Sequence, residues 1–494
     1  MKTKQLLIAF ILLMLAGTGA SVRAQVDITA TNFPDEAFCS YVSENFDTNN
    51  DGSLSSAELD HVTTIDVRKR GIESLEGVGY FTELRQLFCE DNALTALDVS
   101  KNGALETLHC FWNNLTDLDV SKNTALRILD CYKNQLTTLD VSGCTALTYL
   151  NCKSNQLTAL DVSKNTALTD LECLNNRLTV LDVSNNTALT GLSCDNNQLT
   201  SLVVSKNTAL WYLRCDYNQL TTLDVSGCTA LTSFVCDWNQ LTTLDVSKNT
   251  ALEEFSCTVN QLTALDVSKN TALTMLGCSS NQLTALNVSK NTALTMLYCY
   301  SNQLTALDVS KNTALTDLYC ENNQLTALDV SKNTALTSLD CSFNNLTALD
   351  VSNNTALTRI YCQDNRIRSG GMDLLVNSLP ATNGSLYVVD KDRGIELNFM
   401  TRAQADIVWD NKGWKASKYE NRGWYYYYGE EGEPEDLDIV TGIGEALNGE
   451  ASLLNDNGEM INDQAGEWYS LDGRRVLTPQ KGHLYIRGGK KVAY

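Results

Sequence analysis

Histidine and positive charge are both scarce in this sequence. The chain has 3 histidines among 494 residues, and His61, His109 and His483 are far apart. There is also no Ser-His-Asp signature, phosphate-binding loop or unusual pair of carboxylates, so the sequence predicts that the protein is not an enzyme. Lys and Arg number 37 against 59 Asp and Glu, which gives a formal net charge of −22. This charge argues against binding to nucleic acid or to anionic membranes, which need a basic face.

Long apolar runs are almost absent as well. The only candidate is N-terminal, where Lys2 and Lys4 precede the apolar segment 6–16 and small residues surround Ala24. This pattern predicts a secretory signal peptide over residues 1–24. The apolar core is too short to span a bilayer comfortably, and no later run approaches about 18 residues. The sequence therefore predicts an exported protein, secreted or at the cell surface, without a transmembrane segment.

The cysteines reveal a strict internal repeat. Fourteen of the 17 cysteines recur every 21 residues, from Cys89 to Cys362. A fixed period of this length predicts a solenoid of stacked coils. In a typical unit, Leu318 and Cys320 should face the interior while Tyr319 points outward, because alternate residues of a strand face opposite sides. We expect an α/β-type solenoid, a right-handed coil of 14 repeats over residues 81–370 with a parallel β-sheet on its concave face.

The repeated cysteines are expected to form an interior column of reduced thiols. Stacked coils place Cα atoms about 4.8 Å apart, within disulfide range, but parallel Cβ directions aim the sulfurs poorly at each other. Disulfides and metal binding are the alternatives. Cys144 and Cys228 lie outside this register, where each Gly-Cys pair replaces the Lys-Asn of other repeats.

The repeats divide into a constant half and a variable half. The Leu-Asp-Val-Ser-x-Asn-Thr half hardly changes, which indicates packing, whereas the outward strand positions vary and often carry aromatic residues. Aromatic side chains favour interfaces and stack on sugars; strand propensity alone is the other explanation. The best candidate binding residues form an early cluster, Phe111, Trp112 and Tyr132, and a middle cluster, Trp211, Tyr212, Arg214, Tyr217 and Trp238. A protein partner is expected, with a glycan as the alternative, and the chain is expected to be monomeric.

An N-terminal cap over residues 25–80 contains a calcium-binding pattern. Residues 47–58 match the EF-hand loop at every defined position, and Gly52 allows its sharp turn. The predicted ligands are side-chain oxygens of Asp47, Asn49, Asp51, Ser55 and Glu58 and the backbone carbonyl of Ser53. We expect a structural calcium ion here. The alternative is an acidic loop that caps a helix and binds no metal.

After the repeats, the sequence predicts three further segments. Residues 371–430 should form a C-terminal cap, residues 431–439 an acidic linker, and residues 440–494 a small β-module. The segment 468–475, Trp-Tyr-Ser-Leu-Asp-Gly-Arg-Arg, with the glycines and lysines after it, resembles C-terminal tails of exported Bacteroidetes proteins. That resemblance implies a role in export or surface attachment.

The repeat itself resembles a known family. Cysteine at the strand position, together with LTxLDVSxNT in a 21-residue unit, is similar to the internalin J-like branch of bacterial leucine-rich-repeat proteins, over about residues 30–430. The resemblance implies surface adhesion or host-protein binding through the concave sheet. Internalin-like caps are related to EF-hands, and this one differs in keeping a full set of calcium ligands.

Overall fold

The computed structural model describes residues 25–391, 397–420 and 423–426, together with four short strands between residues 468 and 493. The predicted signal peptide 1–24, the linker 431–439 and a predicted strand at 451–454 lie outside the described residues.

Each repeat contributes one three-residue strand to a single sheet of 18 strands. Equivalent positions pair in register, as Leu318 does with Leu339. All pairings are parallel until the last, which is antiparallel. The repeat strands are Gln86–Phe88, Thr107–His109, Ile128–Asp130, Tyr149–Asn151, Asp170–Glu172, Gly191–Ser193, Tyr212–Arg214, Ser233–Val235, Glu254–Ser256, Met275–Gly277, Met296–Tyr298, Asp317–Tyr319, Ser338–Asp340 and Arg359–Tyr361. The predicted solenoid of 14 repeats is confirmed. A minor parallel pair on the other side of the coils joins Val180–Asp182 to Ser201–Val203.

The interior consists of identical columns of apolar side chains. Leu318 and Cys320 are fully buried, while Tyr319 between them is partly exposed, which confirms the predicted alternation. All 17 cysteines are free thiols, and each of the 14 in register, called here the ladder cysteines, is fully buried. The predicted interior position of these thiols is therefore confirmed.

Two columns of buried asparagines tie neighbouring coils together. In the first column, the Asn323 amide donates to the carbonyl oxygens of Cys299 and Cys320, both at 3.1 Å, and its oxygen accepts from the Leu304 N–H at 3.0 Å. One side chain thus satisfies backbone groups of two coils that the sheet leaves unpaired. Each asparagine of this column therefore closes the turn that follows its strand.

The second asparagine column explains the two Gly-Cys pairs. Asn270 donates to the carbonyl oxygens of Val246 and Asn249, both at 2.9 Å. Cys144 takes the position of the asparagine in its repeat, and its thiol donates to the Val120 carbonyl oxygen at 3.4 Å. The preceding glycine is required, because a Cβ on Gly143 would lie 2.8 Å from the Ser121 carbonyl oxygen.

The residue before each asparagine of the first column adopts a left-handed backbone. Its φ lies between 50 and 58° in all 14 repeats. Asn, Asp and Ser, which tolerate this conformation, occupy it often, but Trp112, Tyr217, Trp238, Val259 and Phe343 occupy it as well. For such residues the left-handed region costs about 1–2 kcal/mol.

The N-terminal cap packs two helices, Glu36–Phe46 and Ser56–His61, against the first coil. Its aromatic core includes Phe33, which contacts the rings of Phe38 and Phe81 with centroids 5.8 and 6.3 Å apart. The strand Thr64–Asp66 then begins the main sheet, as expected for a degenerate first coil. A single 3-10 turn, Val78–Tyr80, leads into the repeats.

The C-terminal cap covers the other end of the solenoid. It comprises the helix Ser369–Ser378, the helix Arg402–Asp406 with its π-helical continuation Ile407–Asn411, and the last three strands of the main sheet, Gly384–Asp390, Trp414–Glu420 and Gly423–Tyr426. Trp414 is fully buried, and its indole N–H donates to the Pro380 carbonyl oxygen at 2.9 Å. This aromatic residue closes the core. None of the helices in the described part of the chain is long and apolar enough to cross a membrane.

Four strands are described in the tail, Trp468–Tyr469, Arg475–Val476, Leu484–Arg487 and Lys490–Ala493. They form an antiparallel sheet.

Candidate binding surface

The variable residues lie together on one side of the main sheet. This sheet face is formed by the residues that flank each buried strand leucine and ladder cysteine. In the strand Tyr212–Arg214, for example, both end residues are partly exposed while Leu213 is fully buried. The strands therefore present variable side chains in rows, one residue of each row from each coil.

The early cluster is assembled as predicted. The Phe111 and Tyr132 rings stack with centroids 4.5 Å apart and an interplanar angle of 13°, and Trp112 beside them is 47% exposed. The Lys133 ammonium lies 3.7 Å from the centroid of the Trp112 ring. These rings border a cavity of about 550 Å³, called here the N-terminal pocket, lined by Arg68, Lys69, Glu90, Asp91, Phe111, Trp112 and Tyr132.

The middle cluster is divided into two ring pairs. Tyr217 and Trp238 stack with centroids 5.3 Å apart and an angle of 10°, whereas Trp211 and Tyr212 are tilted at 5.6 Å. Trp211 precedes the strand Tyr212–Arg214 and Tyr217 follows it, so the two pairs lie toward opposite ends of the strands. The predicted middle cluster therefore comprises two ring pairs on the sheet face.

A column of carboxylates follows the ladder cysteines in this part of the sheet. Asp195, Asp216 and Asp237 occupy the same position in consecutive repeats, directly after a ladder cysteine. Arg214 pairs with Asp216 at 3.2 Å, so this predicted binding residue also has a partner within the protein. Burial raises the pKa of Asp237 despite a hydrogen bond from Ser256. This acidic column was not predicted from the sequence, although comparison of that position from repeat to repeat reveals it.

Two other carboxyl groups on the sheet face are more strongly perturbed. Burial raises the pKa of Asp130 to about 7, and burial together with the charge of Asp340 raises the pKa of Glu321 to about 8. Asp130 Oδ1 and Glu321 Oε2 have no hydrogen-bond partner. The sheet face thus holds carboxyl groups that are poorly solvated and incompletely bonded.

The left-handed backbone adds a separate argument for function at the exposed rings. Trp112, Tyr217 and Trp238 are 47, 47 and 50% exposed, so core packing does not account for their presence at a strained position. Strained residues that the fold does not require often belong to binding sites. The strain was invisible in the sequence, because Trp and Tyr give no signal for a positive φ.

The predicted calcium loop is closed by hydrogen bonds among its own residues. The Asp51 N–H donates to both Asp47 Oδ1, at 3.1 Å, and Asn49 Oδ1, at 2.9 Å. The strand Ser53–Leu54 in the loop pairs with Val26–Asp27. A short antiparallel pairing of this kind gives the single loop a partner strand from the same chain.

The Glu58 carboxylate is engaged within the cap. It accepts from the N–H groups of Ser55 and Thr48, both at 2.8 Å, and from their hydroxyl groups, at 2.8 and 2.7 Å. These bonds, the Ser55 N–H foremost, lower the pKa of Glu58 to about 2. Among the described residues, no three Asp, Glu, His or Cys side chains are grouped as a metal site requires. The loop residues fit a calcium ion in type, and Glu58 would exchange these hydrogen bonds for coordination.

A solved relative decides the family. The functional domain of InlJ from Listeria monocytogenes, which includes a cysteine ladder, is 37% identical to this chain; the match covers 74% of this chain and 83% of that domain, with a TM-score of 0.60. The chain belongs to the internalin-like leucine-rich-repeat proteins. The resemblance of its repeats to this family is thereby confirmed, while the resemblance of its tail to Bacteroidetes proteins stays a prediction.

More distant structures share the fold of this internalin-like protein. The leucine-rich-repeat protein LIC12759 from Leptospira interrogans is 22% identical, covering 66% of this chain and 85% of its own, with a TM-score of 0.56. The ectodomain of the plant receptor kinase GASSHO1/SCHENGEN3 from Arabidopsis thaliana, solved in complex with CASPARIAN STRIP INTEGRITY FACTOR 2, is 23% identical, covering 66% of this chain and 44% of its own, with a TM-score of 0.57. A family model described as the LVIVD repeat matches residues 173–193, the length of one repeat. No curated protein matches the chain.

Proposed function

We propose that this internalin-like protein is an exported, adhesin-like binding scaffold that recognises a protein partner through its sheet face. The observation that carries the proposal is the exposed Tyr217–Trp238 stack, held on a strained backbone beside the acidic column. Large aromatic residues in such a setting supply most of the energy of many interfaces. Secretion through residues 1–24 and attachment through the tail are parts of the same proposal.

The acidic column indicates the charge of the partner. Asp195, Asp216 and Asp237 are accompanied by the single guanidinium of Arg214, and the whole chain carries a formal charge of −22. Complementary charge speeds encounter and selects among partners. We therefore expect a partner with a basic patch and an association rate that falls as salt concentration rises.

The experiment compares capture of extracellular and surface proteins by the immobilised full chain and by three double variants. Trp211→Ala/Tyr212→Ala and Tyr217→Asn/Trp238→Asn each remove one ring pair, while Thr242→Ala/Thr263→Ala changes exposed positions outside the strands. A partner retained by the wild type and the threonine variant but at least tenfold less by a ring variant supports the proposal. Identical capture by all four folded proteins contradicts it.

We also propose that calcium is a structural ion of the N-terminal cap. The support is the complete loop pattern and the shared hydrogen bonds of Asp47 and Asn49 to the Asp51 N–H. Calorimetric titration of the full chain should show heat on calcium addition and a higher melting temperature, both lost in Asp47→Ala but kept in Asp60→Ala. Absence of heat and of stabilisation in the wild type would refute calcium binding.

A further inference from the structure

We infer that the N-terminal pocket is a separate binding site for a neutral saccharide, with a sugar ring against the Phe111–Tyr132 stack and a sugar hydroxyl donating to Glu90. The inference does not depend on recognition of a protein partner, because the Trp211 and Trp238 ring pairs lie several coils away along the chain.

The Glu90 carboxylate, in the lining of the pocket, has an incomplete set of hydrogen bonds. Glu90 is 6% exposed and lines the cavity. Its Oε1 lies 3.5 Å from Arg68 Nε, but its Oε2 has no hydrogen-bond partner. Arg68 is held more closely by Asp66, at 2.6 Å. A buried oxygen without a donor is costly, so a ligand hydroxyl that reaches this carboxyl group from the pocket is stabilised there.

The pocket walls include flat aromatic rings. The Phe111 and Tyr132 rings are nearly parallel and stacked face to face, so each ring covers one face of the other and leaves its outer face open to contact. Trp112 stands beside them on a left-handed backbone with φ of 54°. Flat aromatic surfaces bury the apolar C–H faces of sugar rings, while polar groups at the rim bond their hydroxyls. The cavity of about 550 Å³ lies within the range of small-ligand sites.

The charged groups that line the pocket balance one another. Arg68 and Lys69 oppose Glu90 and Asp91 in the lining. A cationic ligand would also meet Lys133, which lies over the Trp112 ring at 3.7 Å, and the Lys153 ammonium, which lies 4.9 Å from the Tyr132 ring centroid. An anionic ligand would leave Glu90 Oε2 without a donor. A neutral hydroxylated ligand can donate to the carboxylates and accept from the cations.

Burial supports the same conclusion. It raises the pKa of the Glu90 carboxyl, because the charged form is poorly solvated in this position. A hydroxyl group can accept a hydrogen bond from the protonated carboxyl or donate to the ionised one. A neutral sugar therefore tolerates either state of Glu90, whereas a cation requires the ionised form.

The test is saturation-transfer NMR on the full chain with separate cello-, xylo-, manno-, galacto- and chito-oligosaccharides, and with Nα-acetyl-lysine amide as a cationic probe. At least one oligosaccharide should receive saturation, strongest at its ring C–H protons. Phe111→Ala should weaken this binding at least tenfold. Tyr300→Ala is the matched control, since Tyr300 holds the same repeat position nine units later and is also partly exposed.

A second variant guards against loss of folding. Trp112→Asn removes the indole and suits the left-handed backbone, which Asn175 and Asn196 adopt at the same repeat position. It too should bind the oligosaccharide at least several-fold more weakly. Glu90→Gln should weaken binding, while Glu321→Gln, at the corresponding position of a later repeat, should not.

Three results would overturn the inference. The first is that no oligosaccharide receives saturation from the wild-type protein. The second is that folded Phe111→Ala protein saturates the oligosaccharide as strongly as the wild type does. The third is that only the lysine amide receives saturation and that Glu90→Gln abolishes this signal. The last result would identify a pocket for cationic side chains.

Discussion

The interior and the sheet face of this protein are drawn from the same short strands, yet they follow opposite rules. Inside, leucine, cysteine and asparagine repeat with little change and are almost fully buried. On the sheet face, neighbouring coils carry Phe111 and Tyr132, then Asp216 and Asp237, at one equivalent position. Side chains that pack are fixed by their neighbours in adjacent coils, while those that face outward are free to change. The sheet face can therefore change from coil to coil without a change in the packed interior.

The largest effect is expected from a constant interior position. Asn218→Ala removes amide bonds to the carbonyl oxygens of Cys194 and Cys215, at 3.1 Å each, and the acceptor of the Leu199 N–H at 2.9 Å. Because buried groups lose their partners, the free energy of unfolding should fall by about 3 kcal/mol or more. Urea denaturation measures this. Gln219→Ala, at the exposed neighbour, should change it little; a similar loss in both variants would contradict the distinction.

A smaller effect should mark the two coils that carry Gly-Cys. A Cβ on Gly227 would overlap the Ser205 carbonyl oxygen, whereas a Cβ on Gly103 would lie 3.9 Å from the Lys122 carbonyl oxygen. Gly227→Ala should therefore destabilise the protein by about 1–3 kcal/mol, and Gly103→Ala should be nearly neutral. Thermal unfolding of the two variants tests this, and equal melting temperatures would show that the coils are equally spaced.

Acidic residues of the sheet face should make stability depend on pH. The pKa of Glu321 is about 8 in the folded protein, above the value of about 4.3 in unfolded chains. The folded state thus binds more protons between these values, and its stability falls as pH rises from about 5 to about 8. Glu321→Gln should reduce this fall by about 1 kcal/mol or more, whereas exposed Glu253→Gln should not. The midpoints of urea denaturation at pH 5 and pH 8 measure this difference in stability. An equal loss of stability between the two pH values in the wild type and in Glu321→Gln would contradict the role of Glu321.

The smallest effect concerns the left-handed position. Val259→Asn should stabilise the protein by up to about 1 kcal/mol, and Asn196→Val should destabilise it by a similar amount, because asparagine tolerates a positive φ that valine avoids. Differential scanning calorimetry of both variants measures the shifts. Shifts of the same sign would mean that side-chain contacts, and not the backbone, govern this position.

The sequence was a good guide where a short-range rule applies. The burial of Leu318 and Cys320 followed from strand alternation, and the stack of 14 coils followed from the 21-residue period. The sequence was a poor guide to how deeply an outward-facing side chain is buried and to which end of the strand it lies at. It did not show that Trp211 and Tyr217 lie toward opposite ends of the strand Tyr212–Arg214. It missed Glu90, because facing outward does not reveal that a side chain is 6% exposed.

The most direct test of the constant interior is a count of reactive thiols in the native full-length protein, prepared without reductant, and again in denaturant. All 17 cysteines are free, and of these Cys39 alone is less than fully enclosed. We predict that at most one thiol reacts in the native protein and that 17 react after unfolding. Several reactive native thiols, or fewer than 17 in denaturant because consecutive coils are joined by disulfides, would contradict the account.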